Sequence, residues 1–366
     1  MRIVYDSTAF LQDNVGGVAR YFIELANRIA VAGVDERCDV TVLAGLNGSR
    51  VTAADFCAGA YKGLRMPTFR GSWRMYKAVN DLLTQALLVG GGEGGAVLHE
   101  TYYGAPRLWN AGVKRVITIH DMIWEDGAVP TNNEFVCRAK KLSASRADGI
   151  IFVSESTRQA FRAHYPQRCA EVVIYHGAEL RTTRERKEPG YPWPFILFVG
   201  RREFYKNWSR LVDAIGVGQL WKTHALVNVG GPLTVSELAS LKSAGIPEDR
   251  VVALRCDDDV LADLYTSAEC LVFPSLVEGF GIPLLEAARS GCPIACSDIP
   301  VFREILPEGC WYFDPLSPPS IAASIAECLA GGRRAREVEV ARRAADAYTW
   351  QRTADKTLQF YRELFH

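Results

Sequence analysis

Short apolar runs alternate with amphipathic segments along most of the chain. A short apolar run bounded by turn residues predicts a buried strand, and an apolar stripe with a 3.6-residue period predicts a helix packed on one face. In the first half, the predicted strands are RIVYDS, CDVTVLA, AVLHE, RVITIHD, GIIFVS and VVIYHG. The predicted helices there are VARYFIELANRIA, a segment around Lys140, and SESTRQAFRAHY. This alternation predicts a parallel sheet covered by helices.

A charged segment with Pro and Gly, ELRTTRERKEPGYPWP, interrupts this succession and predicts an exposed linker. A second series follows, with predicted strands FILFVG, ALVNVG, RVVAL, CLVFPS and PIACS. The pattern therefore predicts an α/β protein with two Rossmann-like, parallel-sheet domains facing each other across a cleft. The predicted parts are an N-terminal domain over residues 1–180, a linker over 181–193, a C-terminal domain over 194–345, and an amphipathic helix within 346–366 that returns to the N-terminal domain.

Composition narrows the class of protein. Of the 366 residues 48% are hydrophobic, and 42 Lys+Arg balance 42 Asp+Glu, so no overall charge favours nucleic acid. No apolar run approaches the ~20 residues of a membrane-spanning helix, and the start MRIVYDSTAF does not resemble a signal peptide. Ten scattered cysteines without a C-x-x-C pair are typical of free thiols in a reducing compartment. We therefore expect a cytoplasmic protein.

The residues at the strand ends are the candidate site, because ligands of open α/β sheets bind beyond the carboxyl ends of the strands. After FILFVG come Arg201, Arg202 and Lys206, close to the start of a helix. Cations beside a helix N-terminus suit a diphosphate, which needs both opposite charge and N–H donors. The same residues would also suit a solvated basic turn.

The stretch EGFGIPLLEA follows the predicted strand CLVFPS. Pro283 suits the first position of a helix, where its missing N–H costs nothing. The amides that would then point into the cleft are those of Phe280, Gly281 and Ile282. We expect Glu278 in the loop and Glu286 in the first helical turn, where a carboxylate can bind a vicinal diol of a ribose or hexose. The alternative is a surface glutamate followed by a glutamate that the helix dipole favours.

In the first domain, Gly16 and Gly17 lie between the first strand and the first helix, where a ligand can approach the backbone closely. His120 and Asp121 end the strand RVITI, either as ligand-binding groups or as structural hydrogen-bonding groups. A second strand-end histidine, His176, is left without an assigned role.

Together these motifs resemble the nucleotide-sugar glycosyltransferases of family 4. The resemblance rests on G-R-R-E-x-x-K-N after a strand, F-P-S-x-x-E-G-F-G-x-P-x-x-E-A-x-x-x-G-x-P, and the segments GGVARY, TIHD, SDIPVFREI, YFDP and TW…YRELF, so it covers essentially the whole chain. It implies the GT-B architecture, a donor held mainly by the C-terminal domain, retention of the anomeric configuration, and no metal or other cofactor. Front-face attack and a covalent intermediate both remain open.

The resemblance also implies roles for single residues. Lys206 and Arg202, or Arg201 in the other register, would hold the donor diphosphate and stabilise the charge of the leaving nucleotide. Glu278 would contact the donor sugar, helped by the backbone N–H groups two and three positions further on. Glu286 would bind the ribose hydroxyls.

Three further positions follow from the same resemblance. His120 corresponds to a histidine that reaches the donor sugar and phosphate. The loop that contacts the base usually contains a glycine in this family, whereas here it includes Arg255 and Cys256, which leaves the base open. The acidic run 257–259 could suggest a metal, but acids at that position favourably meet the dipole of the following helix, so we predict no metal site.

The G-R-R-E-x-x-K-N variant, with YFDP downstream, is most similar to bacterial mannosyltransferases of surface-polysaccharide pathways. We therefore expect a GDP-sugar donor, GDP-mannose or a GDP-deoxyhexose such as GDP-rhamnose, and a glycan acceptor linked to a polyprenyl diphosphate. The alternatives are a UDP-sugar transferase of the same family, a nucleotide-sugar epimerase of GT-B architecture, and a two-lobed periplasmic sugar-binding protein, which would need a signal peptide.

One basic and aromatic segment, 61–77, suggests a peripheral membrane contact. Its cations, with no acid among them, are Lys62, Arg65, Arg70, Arg74 and Lys77. Its interleaved aromatic residues are Tyr61, Phe69, Trp73 and Tyr76. Such residues favour the headgroup layer and anionic lipid, which would place the enzyme at the inner face of the cytoplasmic membrane. The alternative is a solvated loop and helix with core aromatics, and the balanced total charge disfavours RNA.

Overall fold

The structure is a computed structural model. It describes residues 1–11, 16–36, 38–48, 50–57, 60–89, 95–104, 112–127, 133–166, 169–180, 182–185 and 187–366. The chain divides into two compact units. Unit 1 comprises Met1–Glu125, Asn133–Gly177 and Trp350–His366, and unit 2 comprises Asp126–Asn132 and Ala178–Thr349.

Unit 1 is built on a parallel sheet. Its strands are β1 Arg2–Tyr5, β2 Asp39–Asn47, β3 Tyr61–Arg65, β4 Ala96–Glu100, β5 Val113–Ile119, β6 Gly149–Phe152 and β7 Ala170–Val173, in the order β3-β2-β1-β4-β5-β6-β7. Its first four helices are α1 Gly17–Glu36, α2 Ser72–Leu88, α3 Glu134–Arg146 and α4 Glu155–His164. The central strands β1, β4 and β6 are almost wholly buried, as expected for a parallel sheet covered on both faces.

Unit 2 repeats this plan. Its strands are β8 Phe195–Val199, β9 Ala225–Val229, β10 Val251–Leu254, β11 Cys270–Phe273, β12 Ile294–Ser297 and β13 Trp311–Phe313, in the order β10-β9-β8-β11-β12-β13. Its helices are α5 Trp208–Val217, α6 Val235–Ser243, α7 Asp258–Ser267, α8 Ile282–Arg289, α9 Pro300–Ile305, α10 Pro318–Leu329 and α11 Arg334–Ala345. The prediction of two parallel-sheet α/β units is confirmed.

Each sheet has one place where the strand order reverses. In unit 1 the chain runs outward from β1 to β2 on one side and continues from β4 on the other, and in unit 2 the corresponding neighbours are β8 and β11. The connections leave such neighbours in opposite directions, so a crevice opens at their carboxyl ends, and ligands of this fold class bind there. The loops after β1, β4, β8 and β11 are therefore the parts of the chain to inspect.

The last helix, α12 Trp350–Glu363, belongs to unit 1. Its buried face includes Trp350, Thr357 and Tyr361, which recur at the helical period and pack on the unit 1 core. The Tyr361 hydroxyl lies 3.3 Å from the hydroxyl of Tyr5 in β1 and also contacts His99 in β4. The helix therefore covers the central strands of the unit 1 sheet.

Two strands escaped the prediction from the apolar pattern. Strand β3 is an edge strand whose residues are mostly exposed, and β13 has only three residues, so neither produces a clear apolar run. Within the predicted linker, residues 181 and 186 lie outside the described residues. No helix among the described residues combines the length and apolar content needed to cross a bilayer.

Candidate active site

The loops after β8 and β11 bring Lys206 and Glu278 into direct contact. A single 3₁₀ turn, Phe204–Lys206, follows β8, and the Lys206 Nζ lies 2.5 Å from the Glu278 Oε1. The two side chains are only 13% and 12% exposed. The Lys206 ammonium also lies 4.8 Å from the centre of the Phe273 ring, which limits its hydration. The cation and the carboxylate that the sequence predicts to act on the donor therefore share one site.

Asn207 fixes this arrangement, and the sequence did not indicate a role for it. Its backbone is left-handed (φ 60°), a conformation that Asn tolerates better than most residues. Its buried side-chain amide donates to the carbonyl oxygens of Pro274, at 3.0 Å, and Pro315, at 2.7 Å. Asn207 therefore ties the loop after β8 to the loop after β11, so that Lys206 is held opposite Glu278.

The two arginines of this loop have different surroundings. The Arg202 side chain is 6% exposed, and its guanidinium donates to the Glu237 carboxylate at 2.7 Å and to the Pro232 carbonyl. The Arg201 side chain is 57% exposed, and its nearest carboxylate, that of Glu203, lies 3.7 Å away. Arg202 is therefore held in a structural ion pair, and Arg201 has the greater freedom to meet a ligand.

The N-terminus of α8 follows Glu278 directly. Gly281 has φ 121°, a region that residues with a side chain rarely adopt, and a Cβ there would lie 3.1 Å from the side chains of Phe302 and Ile305. Phe280 is buried with its ring edge against Tyr348, and Ile282 begins the helix. This packing fixes the backbone N–H groups at the helix start, where the dipole favours an anion.

The prediction that Glu286 lies in the first helical turn is wrong. Helix α8 begins at Ile282, so Glu286 falls in the second turn, where its side chain is buried. Its Oε2 accepts a hydrogen bond of 3.0 Å from the Tyr265 hydroxyl. Pro283 is the second helical residue, which moves the helix start one position earlier than predicted.

Arg255 and Cys256 lie after the edge strand β10, away from the β8–β11 switch point. Arg255 is exposed, and its guanidinium lies over Gly231, where a Cβ would approach the Arg255 Nε to 2.9 Å. Burial, followed by the charges of Asp257 and Asp258, raises the pKa of the Cys256 thiol to about 11, so it stays protonated at neutral pH.

The acidic run after Cys256 has structural partners. Asp257 caps α7 by accepting from the Val260 amide, and Asp259 accepts from the Thr183 amide at 2.7 Å and from its hydroxyl. Within the part of the chain that the structure describes, His, Cys, Asp and Glu side chains form no group of three or more that could hold a metal ion. Asp259 thus anchors the predicted linker to unit 2.

In unit 1, His120 follows β5 in a buried aromatic cluster. The centre of its ring lies 5.8 Å from the centre of the His176 ring, with the two rings stacked. The ring of Tyr21 meets it edge to face, with the ring centres 5.2 Å apart. Burial, assisted by the charge of Lys140, lowers the pKa of His120 to about 3. Its Nε2 is buried without a hydrogen-bond partner among the described residues. His120 is therefore a neutral hydrogen-bonding group at neutral pH, and His176, which the sequence left unassigned, packs against it.

A buried lysine that the sequence did not single out supports this loop. Lys140 is fully buried in α3, and its ammonium donates to the Asp121 carbonyl oxygen and to Glu125 Oε2, both at 2.8 Å. The Tyr165 hydroxyl donates to the other Glu125 oxygen at 3.0 Å. Lys140 therefore fixes the backbone immediately after His120. Only the structure identifies this lysine, by placing it with Ser143 and Ala144 on the buried face of α3.

Gly16 and Gly17 border open space in unit 1. A Cβ built on either glycine meets no atom within 4 Å, so no packing in the described structure requires these two glycines. Both line a cavity of about 440 Å³ near the carboxyl ends of β1 and β4. A residue with a side chain at either position would project into space that a ligand can occupy.

Sequence models of two protein families match successive parts of the chain. They are "Glycosyltransferase Family 4", over residues 15–182, and "Glycosyl transferases group 1", over residues 182–344. Together the two models cover all but the first 14 and the last 22 residues of the 366.

Curated relatives include O-antigen mannosyltransferases. The chain is 48% identical over 73 residues to the serotype-specific mannosyltransferase WbdA of Escherichia coli, which covers 20% of this chain and 9% of the relative. It is 26% identical over 230 residues to the O-antigen chain mannosyltransferase RfbU of Salmonella typhimurium (strain LT2), which covers 59% of this chain and 60% of the relative. These matches span less than two thirds of each relative's length.

A solved structure extends the comparison to the whole fold. Sucrose-phosphate synthase from Thermosynechococcus elongatus matches with a TM-score of 0.79 at 20% identity, over 100% of this chain and 99% of that one. At this identity the match shows the fold, which is GT-B. With the two family models and the mannosyltransferase relatives, it confirms the resemblance that the motifs indicated: the chain is a GT-B glycosyltransferase, built of a family 4 domain and a group 1 domain, that resembles bacterial mannosyltransferases.

Proposed function

We propose that this protein is a retaining hexosyltransferase that moves mannose, or a related deoxyhexose, from a GDP-sugar to a lipid-linked glycan acceptor during the synthesis of a surface polysaccharide. The observation that carries the proposal is the Lys206–Glu278 pair at the β8–β11 switch point, beside the N-terminus of α8. The similarity to WbdA and RfbU supports the choice of mannose and of an O-antigen-type polysaccharide.

Donor binding would exchange the partners of this pair. A diphosphate brings more negative charge to Lys206 than one carboxylate does, and its oxygens also suit the N–H groups at the start of α8. Displaced from Lys206, Glu278 would accept hydrogen bonds from hydroxyl groups of the donor sugar. The ion pair between Lys206 and Glu278 would thus become two contacts with the donor.

The same groups would lower the barrier to transfer. Breaking the anomeric C–O bond increases the negative charge on the departing nucleoside diphosphate, and cations that are already in place stabilise that charge. Lys206 and the exposed Arg201 would provide this stabilisation, with Arg202 as the alternative in the other register. Glu286, held by Tyr265, would accept from the ribose hydroxyls.

In unit 1, His120 and Asp121 are proposed as further contacts of the donor, and Gly16 and Gly17 as substrate-binding positions. As a neutral imidazole, His120 would exchange a hydrogen bond with the sugar or phosphate and contribute no charge. Open space at Gly16 and Gly17 would let a substrate approach the backbone closely. Arg255 and Cys256 remain the proposed contacts of the base.

We also propose that unit 1 attaches to an anionic membrane surface. The sequence suggested the segment 61–77 for this contact. Lys77 is paired with Asp81 at 2.8 Å and Tyr76 is buried, so we exclude these two residues from the proposed contact. In their place α2 exposes an apolar outer face, formed by Met75, Val79 and Leu82. Apolar side chains flanked by cations are typical of helices that lie in the interfacial layer.

A panel of nucleotide sugars tests the reaction. The protein is incubated with GDP-mannose, GDP-rhamnose and common UDP-sugars, with and without a bacterial lipid extract as acceptor source, and free nucleotide is measured. We expect release of GDP from a GDP-sugar, increased by the extract and unaffected by excess EDTA. Release of UDP alone would favour the UDP-sugar alternative, and no release from any donor would exclude the transferase.

A further inference from the structure

The cavity beside Gly16 and Gly17 has a mainly aromatic and aliphatic lining. Its aromatic walls come from three separate parts of unit 1: Trp73 of α2, Tyr102 and Tyr103 after β4, and Phe135 of α3. Phe135 is 71% exposed, so a large apolar ring stands at the border of the cavity without covering protein. Exposed aromatic side chains around a concave apolar site are typical of ligand pockets.

Two of the polar side chains of this lining already have partners. The Thr8 hydroxyl donates to the buried Asp6 carboxylate at 2.8 Å, and the Lys77 ammonium is paired with Asp81 at 2.8 Å. A hydroxyl-rich sugar ring would find few groups to replace its hydrogen bonds with water, and buried polar groups without partners are unfavourable. The lining therefore favours a hydrocarbon group.

A second cavity, of about 510 Å³, adjoins the first, because both are lined by Leu11 and Trp73. Its lining includes Arg70, which is exposed and forms no ion pair within the described part of the chain, together with Thr68 and Ser72. A cation beside two hydroxyl side chains suits a phosphate group. An apolar cavity and a cavity with one cation and two hydroxyl groups thus adjoin at Leu11 and Trp73.

We propose that these neighbouring cavities bind the lipid carrier of the acceptor as an isoprenoid phosphate, with the hydrocarbon chain in the apolar cavity and the phosphate at Arg70. This deepens the proposed function and rests on its lipid-linked acceptor. An isoprenoid phosphate has one chain and one anionic group, which matches one apolar cavity beside one cation. The apolar outer face of α2 belongs to the same helix as Trp73, so the carrier could pass between bilayer and pocket over a short path.

Titration with farnesyl phosphate below its aggregation concentration tests the proposal by calorimetry, with inorganic phosphate, dihexanoyl phosphatidic acid and methyl α-mannoside as comparison probes. Two variants alter the apolar cavity: Phe135→Ser removes an exposed wall, and Ala139→Phe fills the space. The matched control, Leu142→Ser, removes an exposed apolar side chain from the same helix outside the lining. Arg70→Ser removes the cation.

We expect farnesyl phosphate to bind with a 1:1 stoichiometry, and Phe135→Ser and Ala139→Phe each to weaken binding by about tenfold or more, as loss of a buried apolar contact implies. Leu142→Ser should bind like the wild type. Arg70→Ser should weaken the binding of farnesyl phosphate and leave unchanged the binding of farnesol, which is titrated as the same chain without the phosphate. Equal binding by all the cavity variants, no binding by the wild type, tighter binding of the phosphatidic acid, or cavity-dependent binding of methyl α-mannoside alone would each overturn the proposal.

Titration of GDP and UDP in the same preparations separates this inference from the proposed function. If the protein bound a nucleotide but not farnesyl phosphate, the proposed carrier site would be wrong and the proposed transferase function would stand. If farnesyl phosphate bound in the cavity but no nucleotide bound, the carrier site would stand and the proposed transferase function would be wrong.

Discussion

Lys206 and Glu278 form an ion pair of 2.5 Å between the loops after two neighbouring strands, β8 and β11. They are 72 positions apart in the chain, and Asn207 fixes the loop that carries the lysine by binding the Pro274 and Pro315 carbonyls. The pair joins the residue expected to bind the donor diphosphate to the one expected to bind the donor sugar. Each side chain therefore keeps the other in place until a donor competes for both.

Loss of the Lys206 ammonium should mainly affect the chemical step. Lys206→Ala should lower kcat by about 10²-fold or more, because losing one preorganised electrostatic group costs ~2.7–4 kcal/mol of transition-state stabilisation. Steady-state kinetics over a range of donor concentrations measure this effect. The double variant Lys206→Ala/Glu278→Ala controls for the carboxylate that the single variant leaves without its partner, and thermal melting of both reports on folding.

Glu286→Ala should act more on donor affinity than on kcat, because contacts with the ribose persist unchanged into the transition state. Tyr265→Phe, which removes only the hydroxyl that holds Glu286, should raise the donor KM in the same direction by a smaller factor. If Glu286→Ala and Lys206→Ala lowered kcat equally with unchanged KM, this division of roles would be wrong.

The two arginines should separate binding from stability. Arg201→Ala should weaken GDP binding and leave the melting temperature unchanged, because the side chain is exposed and its ion pair with the exposed Glu203 is 3.7 Å long. Arg202→Ala should destabilise unit 2 by about 1–3 kcal/mol, because it removes the donor to Glu237 Oε1 and to the Pro232 carbonyl. Calorimetric titration and denaturant unfolding of both variants provide the comparison. Loss of GDP binding in Arg202→Ala, with unchanged stability, would reverse the assignment.

The half-buried His120 should make stability depend on pH. Its pKa is about 3 in the folded protein, against about 6.5 in an unfolded chain, so between these values the unfolded chain binds the extra proton. Its contribution to stability is therefore complete above about pH 6.5 and decreases as the pH falls toward 3. His99 and His176, whose pKa values burial also lowers, act in the same direction.

Urea unfolding at pH 7 and pH 5 measures this dependence. The free energy of unfolding should decrease at pH 5, and His120→Gln should reduce the difference between the two pH values. Substitution of the exposed His164 by Gln is the matched control and should leave the difference unchanged. An identical difference in wild type and His120→Gln would contradict the neutral state of His120.

The membrane contact can be tested with the outer face of α2. Serine substitutions at Met75, Val79 and Leu82 should reduce co-sedimentation with anionic liposomes, because they remove the apolar part of the interfacial contact. The control carries serine at three exposed apolar residues of unit 2, Val217, Val235 and Leu316. Equal sedimentation of the two triple variants, or no sedimentation of the wild type at low salt, would contradict the proposed membrane contact.

The cations make a separate contribution. Serine at Arg65, Arg70 and Arg74 should weaken binding to anionic liposomes by up to ~1 kcal/mol for each residue near the surface. The loss should diminish at high salt, where surface charges are screened. Lys77 is left unchanged, because its ammonium is already paired with Asp81.

Local pattern alone determined much of this protein. The alternation of apolar runs and amphipathic helices predicted two parallel α/β units, because burial on both sheet faces demands apolar strands wherever the strands pair. The position of Lys206 and Glu278 directly after two such runs placed both at the carboxyl edge of a sheet. The exposed β3 and the short β13 escaped prediction, because an edge strand with little buried surface has no apolar signature.

Only the tertiary structure decided which side chains have partners. Adjacent in sequence, Arg201 and Arg202 look equivalent, and only the position of α6 shows that Arg202 is paired with Glu237. Lys140 looked like any helical lysine until the loop after β5 supplied the Asp121 carbonyl and Glu125. Contacts between residues far apart in the chain set the strand order, the burial of side chains, the ion pairs and the pKa of His120. The reason is that electrostatic and packing energies depend on distance in space and not on distance along the sequence.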